Sequence, residues 1–305
     1  MRNYYFHNIG TPVINSNINS IEEAVKFAKI NYTVEPKEIF LAGEKRIEDN
    51  FANVRSDNGA VLGIVGKKYK IVQNQEAFSI IDPLIKEQRL SLTKIGSYDE
   101  GRKAFVIARS EPFTVLGENY ENYFNFHNSF DGSGTVKVFF GILRQVCTNG
   151  LMIADKKAKF AINIQHCKKA EIQLYEAHKI INSNELYKVY ITNLMEKLAE
   201  TRFNKEQFAK LIDQLVEVND NDSNIMIERA EEKRNELLKA YNQEDLNNFE
   251  NSAFKALMAI SDYESHFEPL RNTGNEMIYF QRIIAGMSLL NIALNFIKAE
   301  TGFKL

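Results

Sequence analysis

Asn122–Leu151, NYFNFHNSFDGSGTVKVFFGILRQVCTNGL, decides the fold. Aromatic residues alternate with polar ones through Phe126, as they do along a half-buried strand. Asp131-Gly132-Ser133-Gly134 then supplies a turn, and a β-branched and aromatic run returns from Thr135 to Phe140. Two strands meeting at a tight turn predict an antiparallel pair.

The same grammar extends upstream. Phe51–Arg55, Val61–Val65 and Tyr69–Val72 read as short strands punctuated by Asn58-Gly59 and Gly66-Lys67. Leu90–Tyr98 and Lys103–Arg109 flank Asp99-Glu100-Gly101 as a hairpin, and Ala158–Ile164 adds one more strand. Two helical segments interrupt them. Ile21–Ile30 follows Ser20 as cap, and a helix from Asn74 carries Phe78, Ile81, Leu84 and Ile85, with a break expected at Pro83.

After His166 the apolar period becomes helical. Leu186, Val189, Tyr190, Leu194 and Leu198 form one stripe; Phe208, Leu211, Ile212 and Leu215 form another behind an Asn204–Gln207 capping box. Ile225–Tyr241, Leu246–Tyr263 and Met277–Lys298 complete the helices. The expected class is α+β: an N-terminal antiparallel-sheet domain with packed helices over residues 1–165, then a mostly helical domain over 166–305.

Composition fits a globular chain with a substantial core, 44% hydrophobic and 26% charged, so extensive disorder is excluded. Net charge is only −2, but it is unevenly spread. Residues 40–170 carry 19 Lys+Arg against 14 Asp+Glu, whereas residues 171–305 carry 15 against 22. The basic half suits a polyanion; solvated acidic helices gathering at one end explain the asymmetry equally well. Two cysteines, Cys147 and Cys167, make no disulfide framework, and no signal-length or membrane-length apolar run occurs. A cytoplasmic protein without membrane association is expected.

The densest basic run is Lys137, Arg144, Lys156, Lys157, Lys159, Lys168 and Lys169, opposed only by Asp155. Lys67, Lys68 and Lys70 form a second cluster, Arg102 and Lys103 a third, with Tyr69, Phe105 and Phe139 interleaved. Cations that displace phosphate counterions and rings that stack on bases are what a single strand requires. Phe105 and Phe139 read better as core. The nucleic-acid-binding set is therefore Lys67, Lys68, Tyr69, Lys70, Arg102, Lys103, Lys137, Arg144, Lys156, Lys157 and Lys159, with Tyr69 as the stacking residue.

Catalytic signatures are weak. His127, Asp131, His166 and Cys167 match no metal-ligand spacing, and a packed or surface histidine and an ordinary turn aspartate are the favoured readings. Cys147 would need a base at His127 or His166 to be a nucleophile. Gly63-x-x-Gly66-Lys67 lacks the length and the Ser/Thr of a P-loop. No enzyme, cofactor or metal is expected.

Several ordered blocks resemble a family of phage- and plasmid-borne proteins. Leu62, Gly63, Val65, Gly66, Tyr69, Gln73, Asn74 and Phe78 match one; Gly101-Arg102 and Asn128-Ser129-Phe130-Asp131-Gly132-Ser133 match others. Arg144-Gln145-Val146-Cys147-Thr148-Asn149 is similar to an Arg-Val-Val-Cys-Asn-Asn signature with two changes. Asn251–His266 is similar to a helix that usually carries Trp at the position of Phe254. The resemblance implies an intracellular protein of a mobile element. It also suggests a fold-level likeness to phage strand-annealing proteins, which form rings that hold single strands in a basic groove. The expected function is an oligomeric single-strand DNA binder or annealer in recombination, its partners being single-stranded nucleic acid and further copies of itself. The alternative is a non-catalytic module that binds a host defence or replication protein, working through the acidic helices and ERAEEKRNELLK, Glu228–Lys239.

Overall fold

The computed structural model describes residues 9–13, 18–42, 45–132, 136–144, 150–151, 162–164, 170–219, 221–266 and 288–304. The stretch from Asn122 builds the centre of the larger sheet. Strand β7 (Glu118–Ser129) pairs antiparallel with β6 (Lys103–Val115) on one side and β8 (Val136–Arg144) on the other. Beyond β6 lie β5 (Ser91–Tyr98) and the short β1 (Thr11–Pro12); beyond β8 lie β10 (Ile162–Ile164) and the two-residue β9 (Gly150–Leu151). The result is a seven-stranded antiparallel sheet.

Alternation along β7 sorts its side chains onto two faces. Phe124 and Phe126 stack on one face, and Phe140 of β8 meets Phe124 edge-on at 5.3 Å. Tyr187 of helix α4 (Ala170–Glu200) packs on Phe140 at 5.8 Å, so α4 covers this face. Helices α1 (Ile21–Phe27), α2 (Asn74–Phe78) and α3 (Asp82–Lys86) complete the layer. Pro83 sits in the first turn of α3 after a 3₁₀ turn at Ser79–Ile81, which is the break its ring imposes. Asp82 accepts the Ile21 N–H and so ties α3 to the start of α1.

A second, three-stranded antiparallel sheet joins β2 (Val34–Leu41), β3 (Lys45–Arg55) and β4 (Val61–Gly66). It docks on the β7–β8 turn, where a Cβ at Gly63 would lie 2.6 Å from the Asp131 Cα. The contact demands glycine at that position. Asn53 secures it, donating from Nδ2 to the Phe130 carbonyl at 2.7 Å.

Helices α5 (Lys205–Leu215), α6 (Asn224–Tyr241), α7 (Ala253–His266) and α8 (Ser288–Thr301) form the C-terminal part. The Asn204–Gln207 capping box is present, with both reciprocal bonds at 2.9 Å. Helix α7 is buried at every residue from Ala253 to Ser265 and is packed by α4, α6 and α8. Buried Glu264 accepts the Leu290 N–H at 2.9 Å, placing a carboxylate at the positive end of α8. The fold is α+β as expected: antiparallel sheets and helices first, helices after.

Local expectations differ at three places. Tyr69–Val72 is not a strand. A Tyr69 N–H to Gly66 carbonyl bond closes a turn there, and the Val72 carbonyl accepts from the Asn128 side chain instead of a neighbouring strand. Strand β2 went unread because Pro36 interrupts its pattern; edge strands tolerate proline. The helix expected from Leu246 begins at Ala253, after a 3₁₀ segment (Glu244–Phe249) and a left-handed Asn251 at φ 58°. The boundary at residues 165 and 166 lies outside the described residues.

Candidate nucleic-acid interface

The predicted cations come from three separate elements, and the chain brings several to one end of the large sheet. Lys67, Lys68 and Lys70 follow β4; Arg102 and Lys103 open β6; Lys137 lies early in β8. Tyr69 donates its hydroxyl to the Ser129 carbonyl at 2.9 Å, which pins the lysine-bearing segment against the end of β7. Ser129 is the register partner of Lys103, and His127, two residues earlier, is that of Lys137. Side chains in these rows share a face, so Tyr98, Lys103, His127 and Lys137 form one group.

Electrostatics at this end is mixed. Lys67 pairs with Asp49 at 2.9 Å, both well exposed, and Lys103 lies 3.6 Å from Asp131. Arg102 is 3.8 Å from Asp99. Among the described residues Lys68, Lys70 and Lys137 make no ion pair, and Lys68 and Lys70 are exposed. Exposed pairs of the Lys67–Asp49 kind are weak and yield readily to a competing anion.

Beneath the cations, Tyr98 Oη and His127 Nε2 are 2.7 Å apart. Burial pushes the His127 imidazole down to about 4, helped by Lys103 and Lys137 and opposed by Asp131. Burial also raises the Tyr98 phenol, followed by Asp131 and Asp99. The ring is therefore neutral at pH 7, and its tautomer sets which of the two atoms donates. The bond ties β5 to β7 across the intervening β6. His127 is packed, at 5% exposed, and the core reading of Phe105 and Phe139 holds, at 0% and 8%. Among the described residues no three His, Cys, Asp or Glu side chains gather as a metal site.

Arg144 is placed only as a strand residue opposite Tyr120, at the far end of β8 from Lys137. Lys156, Lys157, Lys159, His166, Cys147 and Cys167 lie outside the described residues. Tyr69 is half-buried with its hydroxyl engaged, so only its ring is left to stack.

One feature escaped the sequence. A cleft of about 430 Å³ runs between the small sheet and the Tyr69–Gln73 segment, walled by Val34, Pro36, Phe51, Val65 and Ile71, with Lys67 and Tyr69 also in its lining. Asn53, 0% exposed, lines it. Its Nδ2 is spent on Phe130, whereas its buried Oδ1 has no partner among the described residues. A polar residue centred in the apolar run FANV was the available signal.

A family profile matches residues 61–284, more than half of the chain, from β4 to the residues before α8; its description is Domain of unknown function (DUF932). The chain belongs to the DUF932 family. No curated protein and no solved structure matches it. In DUF932 terms, the matched region holds most of the large sheet, the lysine segment and α4–α7, while β2 and β3 precede it. Among the described residues, no helix is long and apolar enough to cross a membrane.

Proposed function

We propose that this DUF932 protein binds single-stranded nucleic acid without catalysing a reaction on it, as an oligomeric annealer in recombination encoded by a mobile element. The observation that carries the reading is the gathering of Lys67, Lys68, Lys70, Arg102, Lys103 and Lys137 at one end of the large sheet, stapled by the Tyr69–Ser129 bond. The resemblance to phage and plasmid proteins supplies the mobile-element and recombination parts. A strand would run over exposed Lys68 and Lys70, its phosphates exchanging with Asp49 for Lys67.

Fluorescence anisotropy with labelled single-stranded and duplex DNA at two salt concentrations tests this on nucleic-acid-free protein. Preferential single-strand binding that weakens steeply with salt is expected. Absent binding, or binding indifferent to salt, overturns it.

A different observation favours a protein partner. At the start of α6, Ile225 and Met226 are 62% and 53% exposed on a helix of alternating charge, a surface suited to docking another protein. Replacing both with Ser leaves DNA binding intact and abolishes host-protein capture if that surface docks a partner; retained capture refutes the docking role.

A further inference from the structure

We infer that the cleft between the small sheet and the Tyr69–Gln73 segment seats one nucleobase of the bound strand, with Asn53 Oδ1 accepting an amino hydrogen of the base. This rests on the single-strand reading above and adds to it a defined base site.

Most polar groups around the cleft are already spent. Gln73 closes it by bonding both ways to Val34, receiving its N–H on Oε1 at 3.0 Å and donating from Nε2 to its carbonyl at 3.0 Å. Tyr69 Oη is committed to Ser129, and Asn53 Nδ2 to Phe130. That last bond fixes the amide: the nitrogen must face the carbonyl, so the oxygen faces the other way. The acceptor Oδ1 is left over, buried and without a partner among the described residues. A buried acceptor without a donor is costly, and an occupant that supplies one N–H relieves the cost.

The remaining walls state the rest of the ligand. Val34, Pro36, Phe51, Val65 and Ile71 present apolar surface, and Phe51 offers a ring face. The volume lies within the range of small-molecule sites. Lys67 lines the cleft with its side chain exposed, and Lys68 and Lys70 follow it in the chain. The complement is a flat aromatic body with one hydrogen-donating edge, tethered to an anion. A nucleotide has these three parts in that order. An apolar peptide side chain or acyl chain would fill the walls but leave Oδ1 unpaired. Adenine, cytosine and guanine carry an amino group; thymine offers a single N–H flanked by two carbonyl oxygens, which repel the acceptor. The site therefore prefers amino bases.

The chain contains no Trp. Phe51→Trp consequently puts a lone indole in the cleft wall, where base stacking quenches its fluorescence. The titrants are the 5′-monophosphates of adenosine, cytidine and thymidine, with ribose 5-phosphate as the base-free control. Saturable quenching by the first two is expected, about five- to tenfold weaker for thymidine and absent for ribose 5-phosphate. Saturation-transfer NMR on the unmodified protein reads the same contacts without a substitution. Asn53→Leu is expected to erase the preference for amino bases; a preference that survives it overturns Asn53 as the reader.

Strand binding and base binding give separable outcomes. If labelled oligonucleotide binds but no nucleotide quenches the indole of the Phe51→Trp variant or receives saturation, the base cleft is overturned and strand binding stands. Nucleotide binding without oligonucleotide binding supports the cleft and overturns the strand reading alone. Loss of both overturns both.

Discussion

Acidifying this protein should cost it stability through a single buried side chain, His127. The ring titrates at 6.5 when exposed and at about 4 in the fold. Because the folded value is the lower one, the unfolded chain takes up the proton first as pH falls. The stabilising term is whole above pH 6.5 and is lost between there and about pH 4. Linkage makes the full term about 3 kcal/mol, of which about 2 kcal/mol has gone by pH 5. That is a large share of a typical stability of about 5–15 kcal/mol. Urea unfolding followed by far-ultraviolet circular dichroism at pH 7 and pH 5 measures it. His127→Gln keeps a hydrogen-bonding group for Tyr98 but cannot titrate, so it should lose about 2 kcal/mol less than the wild type over that interval. Carboxylates and other histidines contribute to both proteins and cancel in the comparison. Equal losses in the two proteins would refute the assignment of His127 as a buried neutral ring.

Other substitutions probe separate contacts. Gly63→Ala should destabilise by about 1–3 kcal/mol by thermal or urea melting, since its Cβ would press on the Asp131 backbone and lift the small sheet off the β7–β8 turn. Lys68→Ala with Lys70→Ala should leave melting unchanged while lowering the salt slope of single-strand binding by about 1.4, on the basis of about 0.7 for each lost phosphate contact. Asn204→Ala removes one half of the capping box on α5 and should cost about 1 kcal/mol in urea unfolding. Lys255, with a side chain 2% exposed and held 2.5 Å from Glu250, should tolerate Met better than Ala, because Met fills the space without a charge to satisfy; a lower melting temperature for Met than for Ala would contradict that.

The β architecture was legible because alternation and turn chemistry agree: the Phe124, Phe126 and Phe140 periodicity and the Asp131-Gly132 turn each encode the same pairing. The capping box at Asn204 was legible for the same reason, being wholly local. What escaped depends on distant partners. Nothing near Tyr69 announces that its hydroxyl will find Ser129, so the stretch read as a strand by composition alone. Pro36 hid β2, whose partner β3 supplies the ladder. Asn53 reads as an ordinary polar strand residue until Phe130, 77 positions away, claims one end of its amide and strands the other. The lysines were legible as a composition, while their gathering at one sheet end is a consequence of register that no local pattern carries.

Helix α7 has no solvent side. Its neighbours α4 and α6 precede it in the chain, but α8, whose first turn is held by Glu264, comes after. During synthesis the helix must therefore wait, half wrapped, until the ribosome has delivered Ser288–Thr301. Chains cut before residue 288 would bare an apolar flank and a desolvated carboxylate together, which makes α8 the piece that closes the surroundings of α7 and such truncated products prime substrates for chaperones and proteases.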